Sequence, residues 1–139
     1  MGVLWFFVVL QGALTASALG YIDMGTDMLV RIVGTALGVL FAVIGNVLGK
    51  SRPNWFAGVR TPWTLSSDLS WEKTHRLTGR LFVLVGALTA IASWLAPVSV
   101  IIPAMVVGIL ISSLVAVLYS WMVWRTAPDR RNGPQAIDG

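Results

Sequence analysis

His75 is the only histidine of the chain, and the residues just ahead of it are those whose types could do chemistry. Ser66 or Ser67 with His75 and Asp68 would supply a nucleophile, a base and an orienting carboxylate. No nucleophile-turn motif surrounds either serine, and hydroxyls placed just before a helix serve as N-caps. A metal centre fails on counting: one histidine, no cysteine and two nearby carboxylates, Asp68 and Glu72, make a poor zinc set. The residues imply no cofactor. A proton relay or ion pump would need ionisable groups deep in an apolar span, and no Asp, Glu, Lys, Arg or His lies near the middle of any apolar run.

These residues belong to a loop, Lys50 to Arg80, that holds six of the ten Lys and Arg residues and three of the seven tryptophans. Almost everything on either side of it is apolar. A bilayer excludes such a loop, so the flanking runs must span and the loop must lie at a membrane face. Pro53 and Pro62 interrupt regular structure, and Thr61, preceding a proline, is biased to an extended backbone. The expectation is a non-helical segment from Arg52 to Leu65 lying against that face. Trp55, Trp63 and Trp71 suit headgroup-level anchoring. Arg60 and Arg76 equally suit fixed cations for a carboxylate, a phosphate or a lipid headgroup. The residues leave both readings open.

Composition agrees with a membrane protein. The 139 residues are 56% hydrophobic and 12% charged, with mean hydropathy +0.79, whereas a soluble domain carries about a quarter charged residues. With no cysteine there is no disulfide and no thiolate chemistry. The net charge of +4 reads as membrane topology rather than nucleic-acid binding, because basic residues beside spans mark the cytoplasmic face.

Four apolar runs fit spans of roughly 20 residues: about 3–21, 29–48, 81–95 and 100–124. Residues 1–124 then form one all-α, four-helix transmembrane bundle, with the loop 49–80 between its second and third helices. The first run is read as a retained helix, since Met1 to Leu4 lacks the basic region of a signal peptide. Asp27 and Arg31, four apart, are expected to pair at the entry to the second span. Gly34, Gly38, Ala42, Gly45 and Gly49 give that span a small-residue face for close helix approach. Gly12, Ala16 and Gly20 in the first run, and Gly86 and Ala90 in the third, repeat the spacing. Packing within the chain is favoured, although a homo-oligomer would use the same faces. Ser and Thr in the spans are expected to bond their own helix backbone; Asn46 does so less easily and is a candidate anchor for the loop.

The third span is expected to continue a helix begun in the loop. Ser66 or Ser67 would cap it, Asp68 would sit in its first turn, and Glu72 and Arg76 would pair four apart. Pro97, Val98 and Ser99 form the next turn, and Pro103 falls in the first turn of the fourth span. The tail 125–139 is polar, carries Pro128, Gly133 and Pro134, and is expected to be disordered. With four spans, nine of the ten Lys and Arg lie on one side and only Arg31 on the other. The loop and both termini are therefore expected to be cytoplasmic.

The loop resembles the signature of the SdpI family of bacterial immunity proteins. The resemblance lies in Gly45-Asn46, Gly49-Lys50, Arg52-Pro53-Asn54-Trp55-Phe56, Gly58 and Arg60-Thr61-Pro62-Trp63-Thr64-Leu65-Ser66. It continues through Trp71, Lys73-Thr74-His75-Arg76, Gly79 and Leu81-Phe82. It implies a non-enzymatic protein of the bacterial plasma membrane that protects its cell from a secreted peptide toxin. It also implies signalling, in which a cytoplasmic repressor-type protein is held at the membrane. Larger members have extra N-terminal helices, so the expectation here is a short form. By this resemblance Arg60, Trp63, Trp71, His75 and Arg76 would hold the loop against the helix ends, and its outer face would bind a protein partner or lipid headgroup. The alternative is a small accessory subunit of a larger membrane complex.

Overall fold

The computed structural model describes residues 2–21, 25–51 and 59–129. It is all-helical over these residues: α1 (Gly2–Ala18), α2 (Thr26–Leu48), a one-turn α3 (Pro62–Leu65), α4 (Asp68–Leu95) and α5 (Val98–Thr126). Three of them, α2, α4 and α5, are long and apolar enough to cross a membrane. At about 1.5 Å per residue, α4 is about 42 Å long against a hydrocarbon core of about 30 Å. Its surplus fits the polar N-terminal part, which carries Asp68, Glu72 and Lys73, with Arg76 and Arg80 following one and two turns on. The first two turns of α4 thus stand beyond the apolar layer, on the side of the loop.

The three long helices form the packed unit, and the packing is built on small residues. At Gly38 an added Cβ would lie 2.6 Å from the Gly86 carbonyl oxygen, and at Gly45 it would lie 2.6 Å from that of Gly79. The α2 and α4 backbones therefore touch directly at two glycine pairs, with the helices antiparallel. Phe41 and Phe82 meet edge to face beside this seam, their centroids 5.6 Å apart. The third helix closes the unit through Ile101, Met105 and Ala116, all buried. Much of the remaining interior is hydroxyl: Thr78, Thr89, Ser93 and Ser112 each donate to the carbonyl four residues back, at 2.7–2.8 Å. Leu84, Leu88, Ile91, Leu110, Ile111 and Leu114 point outward and stay largely exposed. Small polar residues inside and large apolar ones outside is the arrangement suited to lipid rather than water.

Several expectations are corrected. The first apolar run forms only the 17-residue α1, about 26 Å long, and among the described residues α2 is the sole helix it contacts. At Gly12, on its small face, an added Cβ would meet nothing within 4 Å. Arg31 reaches across to α4 instead of pairing with Asp27. Its guanidinium donates to the Ser93 carbonyl at 2.6 Å and, more weakly, to that of Ala96 at 3.5 Å. These belong to the last turn of α4, where carbonyls lack helical partners and the dipole attracts a cation. A tertiary cap thus replaces a local ion pair worth a few tenths of a kcal/mol. Val98 and Ser99 are helical, with Pro97 as the N-cap of α5, so Pro103 is six residues into that helix rather than in its first turn. Residues 125 and 126 complete α5, and Ala127 is buried; residues 130–139 of the expected tail lie outside the described residues.

Candidate functional site

The loop side of the bundle is assembled from α3, the start of α4 and the end of α5. Thr61 has φ −95° and ψ 158°, the extended conformation imposed by the following proline. That conformation makes it an N-cap. The Thr64 amide donates to Thr61 Oγ1 at 3.2 Å, the Thr61 amide donates to Thr64 Oγ1 at 3.0 Å, and Pro62 fills the first helical position. A reciprocal capping box with proline at its start is enough to close one turn. The segment expected to be non-helical up to Leu65 is therefore helical over Pro62–Leu65. Arg52, Pro53, Asn54 and Trp55 lie outside the described residues.

Trp71 is not an interfacial anchor. It is 1% exposed, and its indole stacks on the His75 ring with centroids 4.0 Å apart and planes 16° from parallel. Residues four apart on a helix share a face, so this stack is a local consequence of the 71/75 spacing. His75 Nε2 accepts the Val59 amide at 3.0 Å, which assigns the ring proton to Nδ1, and Nδ1 donates to the Trp71 carbonyl at 2.9 Å. The Val59 carbonyl in turn accepts the Thr64 hydroxyl at 2.8 Å. One residue of the returning loop, Val59, is thus clamped at its N–H by α4 and at its C=O by α3. Both imidazole nitrogens are committed to this clamp.

The serines are committed as well. Ser66 Oγ donates to the Trp63 carbonyl. Ser67 is the N-cap of α4: its Oγ accepts the Ser70 amide at 3.1 Å and donates to Asp129 at 2.7 Å. The second Asp129 oxygen accepts the Leu69 amide at 3.0 Å. The Leu69 amide foremost, and then the Ser67 hydroxyl, hold the Asp129 carboxyl below its ordinary range. Ser70 Oγ donates to the Ser120 carbonyl at 2.9 Å, and Thr61 Oγ1 lies 3.3 Å from Ser120 Oγ. These contacts lock α3 and α4 onto α5. The arrangement positions a loop; it does not align a nucleophile with a base.

The other expected residues divide by exposure. Thr64, Trp71, Thr74 and His75 are buried, Trp63 is half-buried, and Asn46, Arg60, Pro62, Lys73 and Arg76 are exposed. Arg76 pairs with Glu72 as expected, both side chains more than half exposed. Such a pair contributes about 0.3–0.5 kcal/mol and leaves Arg76 accessible. Among the described residues, Trp71 Nε1 and Thr74 Oγ1 are buried without a hydrogen-bond partner, and no group of His, Cys, Asp or Glu could hold a metal ion. Sequence reading missed Val59, Ser70, Ser120 and Asp129, which act through backbone groups or across some fifty to sixty residues.

Comparison with known proteins gives this geometry a context. The model of the SdpI/YfhL protein family matches residues 50–120, which is the loop, α3, α4 and most of α5. The chain belongs to the SdpI family. Over 117 residues it is 26% identical to the Immunity protein SdpI of Bacillus subtilis (strain 168), an overlap covering 84% of this chain and 54% of that protein. The chain therefore spans about half the length of this curated relative. No solved structure matches it. The SdpI family match begins at Lys50 and ends at Ser120, so it takes in the Val59 clamp and both partners of the Ser70–Ser120 bond. It leaves out α1 and α2, of which α1 also stands apart from the packed helices.

Proposed function

We propose that this chain is an SdpI-type membrane immunity protein of the bacterial plasma membrane. It protects its cell from a secreted antimicrobial peptide, signals that peptide's presence to a cytoplasmic partner, or does both. The observation that carries the reading is the family match across the clamped loop and the helices that hold it, together with a relative named as an immunity protein. The mechanism is non-catalytic: His75, both candidate serines and Asp129 are spent on positioning. In this reading the exposed Arg60 and the half-buried Trp63, on the outer side of the clamp, meet the partner. The four-span arrangement, with α1 as an added span and both termini cytoplasmic, is part of the same proposal and rests on the charge distribution.

The test is survival of a toxin-sensitive bacterium expressing this chain, across a dose series of SDP-type peptide. Arg60→Ala/Trp63→Ala, at matched membrane levels, is expected to abolish protection. Full protection by that variant would remove the loop from the mechanism. A second reading, an accessory subunit of a larger membrane complex, is favoured by α1, whose Leu4, Trp5, Val8 and Val9 are all more than half exposed. A stoichiometric larger partner after mild-detergent purification would select it.

A further inference from the structure

A groove runs along the seam where α2 and α4 touch. Its loop-side part is a hollow of about 640 Å³ whose lining includes Asn46, Lys50, Arg76, Arg80, Val83 and Ala87. A second hollow of about 380 Å³ shares Asn46, Val83 and Ala87 with it and reaches Gly38 and Ala90. The groove exists because the glycine contacts draw two backbones together and leave no side chains to fill the space beside them. Its walls change character along their length. Three cations, Lys50, Arg76 and Arg80, stand exposed at the mouth, with Glu72 engaging Arg76. Three cations against one carboxylate leave the mouth net positive. Beyond Asn46 the lining is wholly apolar.

From Lys50 to Gly38 the groove follows α2 for roughly 18 Å, against roughly 15 Å for one leaflet of the hydrocarbon core. With Lys50 at headgroup level, the long Arg76 and Arg80 side chains reach the same level, and the apolar part, from Asn46 to Gly38, runs about 12 Å, most of one leaflet. A free anion would use only the mouth, and a hydrocarbon only the trough. A lipid whose headgroup is net negative uses both. Guanidinium groups match phosphate oxygens in geometry, and the Asn46 amide stands at the depth of the glycerol esters.

We propose that the α2–α4 groove binds one anionic phospholipid of the loop-side leaflet, its phosphate on Lys50, Arg76 and Arg80 and one acyl chain along Val83, Ala87 and Gly38. The site requires the chain to be embedded in a membrane and is independent of the immunity reading.

The experiment is native mass spectrometry of the full chain, purified in mild detergent, delipidated and offered equimolar phosphatidylglycerol and phosphatidylcholine. One phosphatidylglycerol is expected to be retained over phosphatidylcholine by roughly 25-fold, since each of the two net positive charges near an anionic headgroup contributes a factor of about five. Lys50→Gln/Arg80→Gln is expected to erase the preference. Ala87→Leu, which narrows the trough and keeps every charge, is expected to lower retention of the bound lipid several-fold. Arg125→Gln, outside the groove, is expected to retain lipid as the parent does. Equal retention of the two lipids, an equal loss in Arg125→Gln, or complete displacement by millimolar inorganic phosphate would each overturn the proposal.

Discussion

At the scale of single residues, the loop side is held by side chains that bind backbone. His75 shows it best: its ring spans from the Trp71 carbonyl to the Val59 amide. Replacing it with phenylalanine keeps an aromatic face for Trp71 but leaves a partly buried amide without an acceptor. A loss of about 1–3 kcal/mol is expected, read as a lower melting temperature in detergent and faster proteolysis at the Val59–Arg60 bond. Asp129 offers a pH handle. Its folded value lies below the ordinary 3.8, so its contribution is fully present above about that pH and is lost as pH falls through the folded value. Acid titration of the parent should release the segment after α5, followed by fluorescence of a probe attached there. Asp129→Asn, which cannot ionise, should show no such transition. What the sequence revealed at this scale was local. The Ser67 cap, Asp68 in the first turn and the Glu72–Arg76 pair all depend on neighbours within four residues. The burial of Trp71 did not show, because a tryptophan beside arginines and prolines looks the same whether it meets lipid or a histidine ring.

At the scale of elements, the α2–α4 seam dominates, and here spacing was informative. Gly38 and Gly45 stand seven residues apart, as do Gly79 and Gly86, so each pair returns to one helix face after two turns. Gly45→Ile would drive a side chain into the Gly79 carbonyl and the Val83 amide. The expected cost is about 3 kcal/mol, the upper end of overpacking, with loss of the folded species on size exclusion. Gly12→Ala in α1 meets open space and is expected to raise helix stability by up to about 1 kcal/mol. Arg31→Gln should destabilise by about 1–2 kcal/mol by removing a charged donor from the end of α4. Its real partner was illegible because the carbonyls it caps lie 62 and 65 residues away. The one-turn α3 was hidden for a different reason. Pro62 reads as a breaker until the reciprocal bonds of Thr61 and Thr64 make it a helix start.

At the scale of the whole molecule, membrane character was legible from composition, while the number of spans depends on α1. The cysteine-free sequence allows single-cysteine mapping without background. With the proposed topology, Asp68→Cys should react with a membrane-impermeant maleimide only after cells are opened, and Ala96→Cys should react in intact cells. A label at Trp5→Cys on the Ala96 side would leave three spans. The contact between Asp129 and the start of α4 also has a bearing on biosynthesis. Ser67 leaves the ribosome 62 residues before the carboxylate that caps it, which is roughly 3–12 s at ordinary elongation rates. During that interval α2 and α4 can already meet at their glycines while the first turn of α4 remains open to its surroundings. The loop side thus matures after the α2–α4 seam, and a nascent chain stalled before residue 129 would present it unfinished to whatever quality control patrols that face of the membrane.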